Sequence, residues 1–195
     1  MKSKDIKYVL NIAMRLTVIV AVVVAMLATV NAVTKDRIAE NNAATRNAAC
    51  GELIEGAEFE SFDISALNVD YSEITNFDKN SVAVWRGTKN GELAGWCVEV
   101  TGKGYSSDGI GLIVGISADG QTVLGVRCVS SSETSGIGSK VVSDDYLSNF
   151  ADRASSEVAS VDAVSGATRT SRGVKDGIKA AVACVKAITE QEGGR

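Results

Sequence analysis

The chain of 195 residues contains no histidine and no proline. Without histidine it cannot build a His-based catalytic triad, a zinc site with imidazole ligands or a haem with a histidine axial ligand. Without proline, every tight turn must rest on Gly, Asn, Asp or Ser. Aromatic residues are scarce at 5%. Cysteines number four, at positions 50, 97, 128 and 184, and no two are spaced as a metal clip. That spacing argues against a protein-held iron–sulfur cluster or a zinc site. The bland reading is small buried hydrophobes; a disulfide requires an oxidising compartment, and spacing does not say which residues would pair. Net charge is −4, the wrong sign for a nucleic-acid partner.

One long uncharged run is present. LTVIVAVVVAMLATVNAV, Leu16 to Val33, has only Thr17, Thr29 and Asn31 as polar residues. At about 1.5 Å per residue it nearly crosses a hydrocarbon layer of about 30 Å. YVLNIAM lengthens it, with Arg15 able to snorkel. A single transmembrane helix is expected over residues 8–33, after a short cytoplasmic segment, 1–7. The alternative is a signal peptide cleaved after Val30-Asn31-Ala32; the length of the run favours an anchor. Lys2, Lys4, Lys7 and Arg15 against Asp5 give the flank a net +3, so the remainder of the chain carries −7. Positive residues stay inside, which predicts a cytoplasmic N-terminus and an extracytoplasmic main domain in a single-pass inner-membrane protein.

Residues 34–57 read as a juxtamembrane helix or stalk. Residues 58–195 form the main domain. SVAVWRGTKNGELAGWCVEV holds two β-rich runs joined at Asn90-Gly91, and GIGLIVGISADGQTVLGVRCV repeats the form at Asp119-Gly120. Both are hairpin signals, and they predict an antiparallel sheet with one buried face. KVVSDDYLSNFADRAS is expected to be a helix contacting the core through Val141, Tyr146, Leu147 and Phe150. The segment 171–190 places Val174, Ile178, Ala181, Val182, Val185 and Ile188 at helical spacing and should close over the sheet. The class is α+β.

Three stretches carry chemistry. DAVSGATRTS places Ser165, Gly166, Ala167, Thr168, Thr170 and Ser171 at the start of the last helix. Unpaired N–H groups and the dipole there suit an anion, and phosphate is the natural guest; simple N-capping is the competing explanation. TGKGYSSDGIGLIVGI has glycines at 102, 104, 109 and 111 that permit close backbone approach. SSSETSGIGSK has Gly136 and Gly138 in an exposed turn beside Glu133 and Thr134. Alone, the last two read more readily as loops: a loose loop before a strand and a solvated linker between strand and helix.

Asp162-x-x-Ser165-Gly166-Ala167-Thr168 resembles the D-x-x-[ST]-G-A-[TS] signature of proteins that carry a phosphate-linked flavin. Gly104-Tyr105 lies in a G-K-G-Y segment similar to the same FMN-binding domain, and Glu133 to Gly138 resembles its H-S-E-T-P-G-L-G segment. Ser131 and Ser135 stand where that segment has His and Pro. The Ser135 change is expected to loosen the turn by lifting the φ restraint. With the N-terminal anchor, the chain resembles the RnfG family, the G subunit of the Rnf complex, whose FMN domain is related to the C subunit of the sodium-pumping NADH:quinone reductase.

The resemblance implies a covalent FMN phosphoester on Thr168, installed by a flavin transferase from FAD with magnesium. It implies cofactor contacts from Asp162, Ser165, Gly166, Ala167, Ser171, Gly104, Tyr105, Glu133, Thr134, Gly136 and Gly138. It also implies an electron-carrier role among other membrane subunits that couple ferredoxin:NAD electron transfer to Na+ or H+ movement. Neither a catalytic residue nor a metal site is expected on this chain, and no G-x-G-x-x-G helix opening for NAD is present. Two alternatives remain: an extracytoplasmic flavoprotein feeding another reductase, or a non-redox phosphate- or glycan-binding module.

Overall fold

The computed structural model describes residues 3–193. The chain divides into two compact units that meet between Ala44 and Thr45. The helix α1, Ser3–Leu53, contributes to both. In the first unit α1 is apolar and long enough to cross a membrane. Its large side chains from Tyr8 to Val33 are exposed. Its polar residues hide their hydroxyls: Thr17, Thr29 and Thr34 each donate to the carbonyl four residues earlier, at 2.8–2.9 Å.

The second unit is a six-stranded antiparallel meander in the order β1-β2-β3-β4-β5-β6. The strands are β1 Glu58–Phe62, β2 Phe77–Lys89, β3 Glu92–Gly102, β4 Ile110–Ser117, β5 Thr122–Ser131 and β6 Arg153–Ala154. Asn90 and Gly91 take φ of 55° and 83° in the β2–β3 turn, the doubly left-handed pattern of a tight hairpin. Asp119 and Gly120 close the β4–β5 turn as expected, the Asp119 carboxylate accepting from Ser117 Oγ and the Gln121 N–H.

Alternation along β3 sends Trp96, Val98 and Val100 to one face and Cys97 to the other. The first face packs under α3, Thr168–Gly193, through Val174, Ile178, Ala181, Val185 and Ile188. The second is covered by the end of α1 and the residue after it, where Ala49, Cys50 and Ile54 meet Cys97 and Ile113. The expectation of one buried face is therefore corrected: both faces are covered. The signal was in β4, whose apolar run is uninterrupted and buried from Ile110 to Ile116. A strand covered on both sides needs no polar alternation.

The expected helix over 140–155 is also corrected. It breaks into a 3-10 turn at Gly138–Lys140, a single helical turn α2 at Asp144–Leu147, a second 3-10 turn at Ser148–Phe150 and then β6. Short polar side chains compete for the backbone. The Ser143 hydroxyl accepts from the Tyr146 N–H, Ser148 Oγ donates to Asp145 O, and Asn149 Nδ2 donates to Tyr146 O. Asp152 then takes φ 52° and turns the chain into β6. Val141, Tyr146, Leu147 and Phe150 are nevertheless buried, as the apolar pattern requires.

Two glycines bring α3 flush against the end of β3. A Cβ on Gly173 would lie 2.5 Å from Lys103 O, whereas one on Gly177 would first meet the flexible tip of Leu112 at 3.1 Å. Gly173→Ala is expected to cost about 1–3 kcal/mol through overpacking against backbone. Gly177→Ala should be near neutral, because helix propensity offsets the contact. Urea midpoints of the two variants check this; equal shifts would contradict the close approach.

Candidate functional site

Close packing of α3 on β3 sets the N-terminus of the helix beside the loop after β3. The loop after β5 completes the group. Glu133 joins all three. Its Oε1 accepts from the backbone N–H groups of Tyr105, at 3.0 Å, and Ser106, at 2.9 Å. Its Oε2 accepts from Thr170 Oγ1 at 2.6 Å. Glycines flank this carboxylate and leave room for it on both sides. A Cβ on Gly104 would lie 2.4 Å from Oε1, and one on Gly138 would lie 2.5 Å from Oε2.

Around Glu133 lies a cavity of about 310 Å3 bounded by Tyr105, Glu133, Thr134, Ile137, Gly138, Gly166, Ala167, Arg169 and Thr170. Tyr105 is 73% exposed and Ile137 52%. Among the described residues after Thr45, these are the only exposed large hydrophobic side chains, and both line this cavity. The Arg169 guanidinium lies over the Tyr105 ring, 5.9 Å from its centroid. By helix geometry the N–H groups of Thr168, Arg169 and Thr170 have no partner within α3. The Ser171 N–H is bonded, to Ala167 O at 2.9 Å. Apolar walls, glycine-lined edges and a helix N-terminus together fit a flat aromatic ligand that also carries a phosphate.

The three stretches singled out in the sequence thus meet in space. Gly104, through its contact with Glu133, and Tyr105, Glu133, Thr134, Gly138, Gly166 and Ala167 form one site. Gly166 turns the chain into α3 at φ 78°. Thr168, the first residue of α3, is exposed and lines an adjoining groove with Arg172, Lys175 and Lys179. Lys175 Nζ donates to Val161 O at 3.0 Å, and the buried Asp176 accepts from the Asn76 side-chain amide at 2.7 Å. Ser165 and Gly136 are exposed outside the cavity lining.

Asp162 faces a third groove, and its carbonyl accepts from Tyr146 Oη at 3.0 Å. Burial pushes the Tyr146 phenol above its ordinary pKa, which keeps it a donor. Ser171 lies outside the cavity lining. It is fully buried, and its hydroxyl donates to Ala167 O and accepts from the Val164 N–H. The downstream hydroxyl that reaches the cavity is Thr170. Ile137 and Arg169 also line it. Both lie inside the quoted motifs, but only the fold shows which side chains point inward.

The turn expected to loosen at Ser135 is held by other means. The Gly136 N–H donates to Ser139 Oγ at 2.9 Å, and the Ile137 and Ser139 N–H groups both donate to Thr134 O. Ser131 Oγ accepts from the Glu133 N–H at 3.2 Å, steadying the bridging residue.

Comparison with known proteins places these features in a family. Residues 104–183 match the FMN-binding domain, and residues 1–53 match the RnfG N-terminal region. The G subunit of the Na+-translocating ferredoxin:NAD+ oxidoreductase complex of Acetobacterium woodii is 30% identical, over 91% of this chain and 92% of its own length. The G subunit of the ion-translocating oxidoreductase complex of Methanosarcina acetivorans is 29% identical, over 97% of this chain and 99% of its own. The crystal structure of Shewanella oneidensis NqrC shares the fold, with a TM-score of 0.52 at 21% identity, over 72% of this chain and 86% of that one. A relative 30% identical across nearly its full length, with both regions matched in order, shows that the chain belongs to the RnfG family, the G subunits of ion-translocating oxidoreductase complexes.

Proposed function

We propose that this chain is the FMN-bearing electron carrier of a membrane-bound ferredoxin:NAD+ oxidoreductase complex that moves Na+ or H+, with its flavin held covalently at Thr168. The observation that carries the reading is the pair of exposed hydrophobes, Tyr105 and Ile137, on the walls of a cavity that also reaches Ala167 and Arg169. Ala167 and Arg169 flank Thr168, so a group esterified there starts one residue from the cavity. Arg172 and Lys175 beside Thr168 supply positive charge for a phosphodiester. A bound flavin supplies the redox chemistry, accepting and donating one or two electrons. The chain's own residues position it: Tyr105 and Ile137 cover apolar ring surface, and Glu133 fixes the loops that carry them.

Covalent attachment suits an extracytoplasmic site, where a cofactor held by contacts alone would be lost by dilution. In this reading a separate flavin transferase makes the ester from FAD. The positively charged flank before the apolar helix supports a cytoplasmic N-terminus and a flavin domain outside, with α1 as the single-pass anchor.

A tagged chain isolated from its native membrane tests the role. Other membrane subunits should co-purify. The flavin absorbance on this chain should bleach with a reduced ferredoxin-class donor and recover on adding NAD+. A chain recovered without partners, or flavin that does not cycle, would refute it.

A further inference from the structure

Two of the four cysteines meet on the face of the sheet away from α3. Cys50, in the last turn of α1, and Cys97, in β3, share one apolar cluster with Ala49, Ile54 and Ile113. Both are buried, at 1% and 0% exposure. The two side chains are neighbours in that cluster, one brought by the helix and the other by the strand. One helical turn before Cys50, the Arg46 guanidinium lies 4.3 Å from the centroid of the Trp85 ring, and Trp85 is the register partner of Cys97. The other two thiols are elsewhere: Cys184, on the buried face of α3, belongs to the opposite core, and Cys128 packs against that same core. The sheet stands between the two pairs.

We propose that Cys50 and Cys97 are a dithiol–disulfide pair that fastens the last turn of α1 to β3. All four thiols are unlinked in the structure. The oxidant is a small disulfide such as glutathione disulfide. Cys50, as thiolate, attacks one of its sulfurs and releases one glutathione thiolate. Cys97 loses its proton and attacks the Cys50 sulfur of the mixed disulfide, releasing the second. The two cysteines together lose two protons and two electrons, and one glutathione disulfide becomes two glutathione molecules.

Cys50 takes the attacking role because it sits in the last turn of a helix, at the edge of the cluster, whereas Cys97 is held in the interior strand β3. The neighbouring Cys97 thiol and the Arg46 charge hold the Cys50 pKa below the ordinary thiol value, against opposition from burial and Glu99. Cys97 is raised, by the Cys50 contact and by burial. Burial also raises Cys128 and Cys184, which leaves them poor nucleophiles. Reagent reaches the pair when the last turn of α1 lifts from the sheet. That turn is held at its rim by the Arg127–Glu52 ion pair and by Lys89 Nζ donating to Glu55 O.

The test uses the full chain in detergent, equilibrated in glutathione buffers of graded redox poise. Samples are acid-quenched, alkylated under denaturing conditions and peptide-mapped. The expected product is one cross-link, Cys50 to Cys97, appearing in a single two-electron step, with Cys128 and Cys184 alkylated throughout. The oxidised chain should have the higher urea midpoint. A Cys50→Ala, Cys97→Val double variant keeps the site apolar and should lose the redox dependence of that midpoint. Absence of the cross-link in the most oxidising buffer would overturn the proposal. So would equal yields of links to Cys128 or Cys184, or an oxidised chain less resistant to urea than the reduced one.

Discussion

Thr168→Val is expected to give a folded chain with no covalent flavin. Thr168 is exposed at the first position of α3. Valine has nearly the same shape and the same branching, so the helix start is little disturbed; stability should change by less than about 0.5 kcal/mol. The hydroxyl is the one feature removed, and in the proposed function it supplies the oxygen of the ester. Thr168→Ser restores that oxygen and should restore labelling. Wild type and both variants are expressed with a flavin transferase, and fluorescence is read in a denaturing gel beside a urea midpoint. A band of wild-type intensity in Thr168→Val would remove Thr168 from the account, and an unfolded Thr168→Val chain would contradict its place on the surface.

Glu133→Ala is expected to have the largest effect on the site as a structure. Three donors lose their acceptor together: the Tyr105 and Ser106 N–H groups and Thr170 Oγ1. Hydrogen bonds to a charged group each contribute about 1.5–3 kcal/mol. Glu133 is only half-buried and water can replace part of the loss, so the expected cost is about 2–4 kcal/mol in total. For a unit of this size each kcal/mol shifts the melting temperature by about 2–4 °C. Flavin on the variant should also become more accessible to a soluble quencher, because the Tyr105 wall is no longer tied to the Ile137 turn. Glu133→Gln keeps an oxygen for the two N–H groups and should fall between wild type and alanine. An alanine variant with unchanged melting and unchanged quenching would show that Glu133 does not join the three segments.

Much of this arrangement was legible in the sequence, for identifiable reasons. Asn90-Gly91 and Asp119-Gly120 are turns that few other residues could make, so both hairpins could be placed. The spacing from Val174 to Ile188 marks one face of a helix, and that face is the buried one. The segment after Lys140 misled because its apolar residues occur near helical spacing while Ser143, Ser148 and Asn149 bond to the backbone and break the helix. The second covered face was readable in the unbroken apolar run of β4. The occupant of that face, the end of α1, is distant in sequence, and no local pattern names it. At the site, motif order identified the three loops but not which side chains turn inward. Thr170 reaches Glu133 while its neighbour Ser171 is buried, a difference of one step around a helix. The close backbone approach at Gly173 was equally invisible, since a glycine inside a helix shows no partner until the fold is known.

The most direct test of the central claim is peptide mass mapping of the chain from cells that hold a flavin transferase. Trypsin should release residues 154–169 as one peptide, which contains Ser165 and Thr168. The expected result is this peptide heavier by one FMN less one water, with fragmentation placing the addition on Thr168. Recovery of the peptide unmodified, or with the flavin on another hydroxyl, would contradict the account.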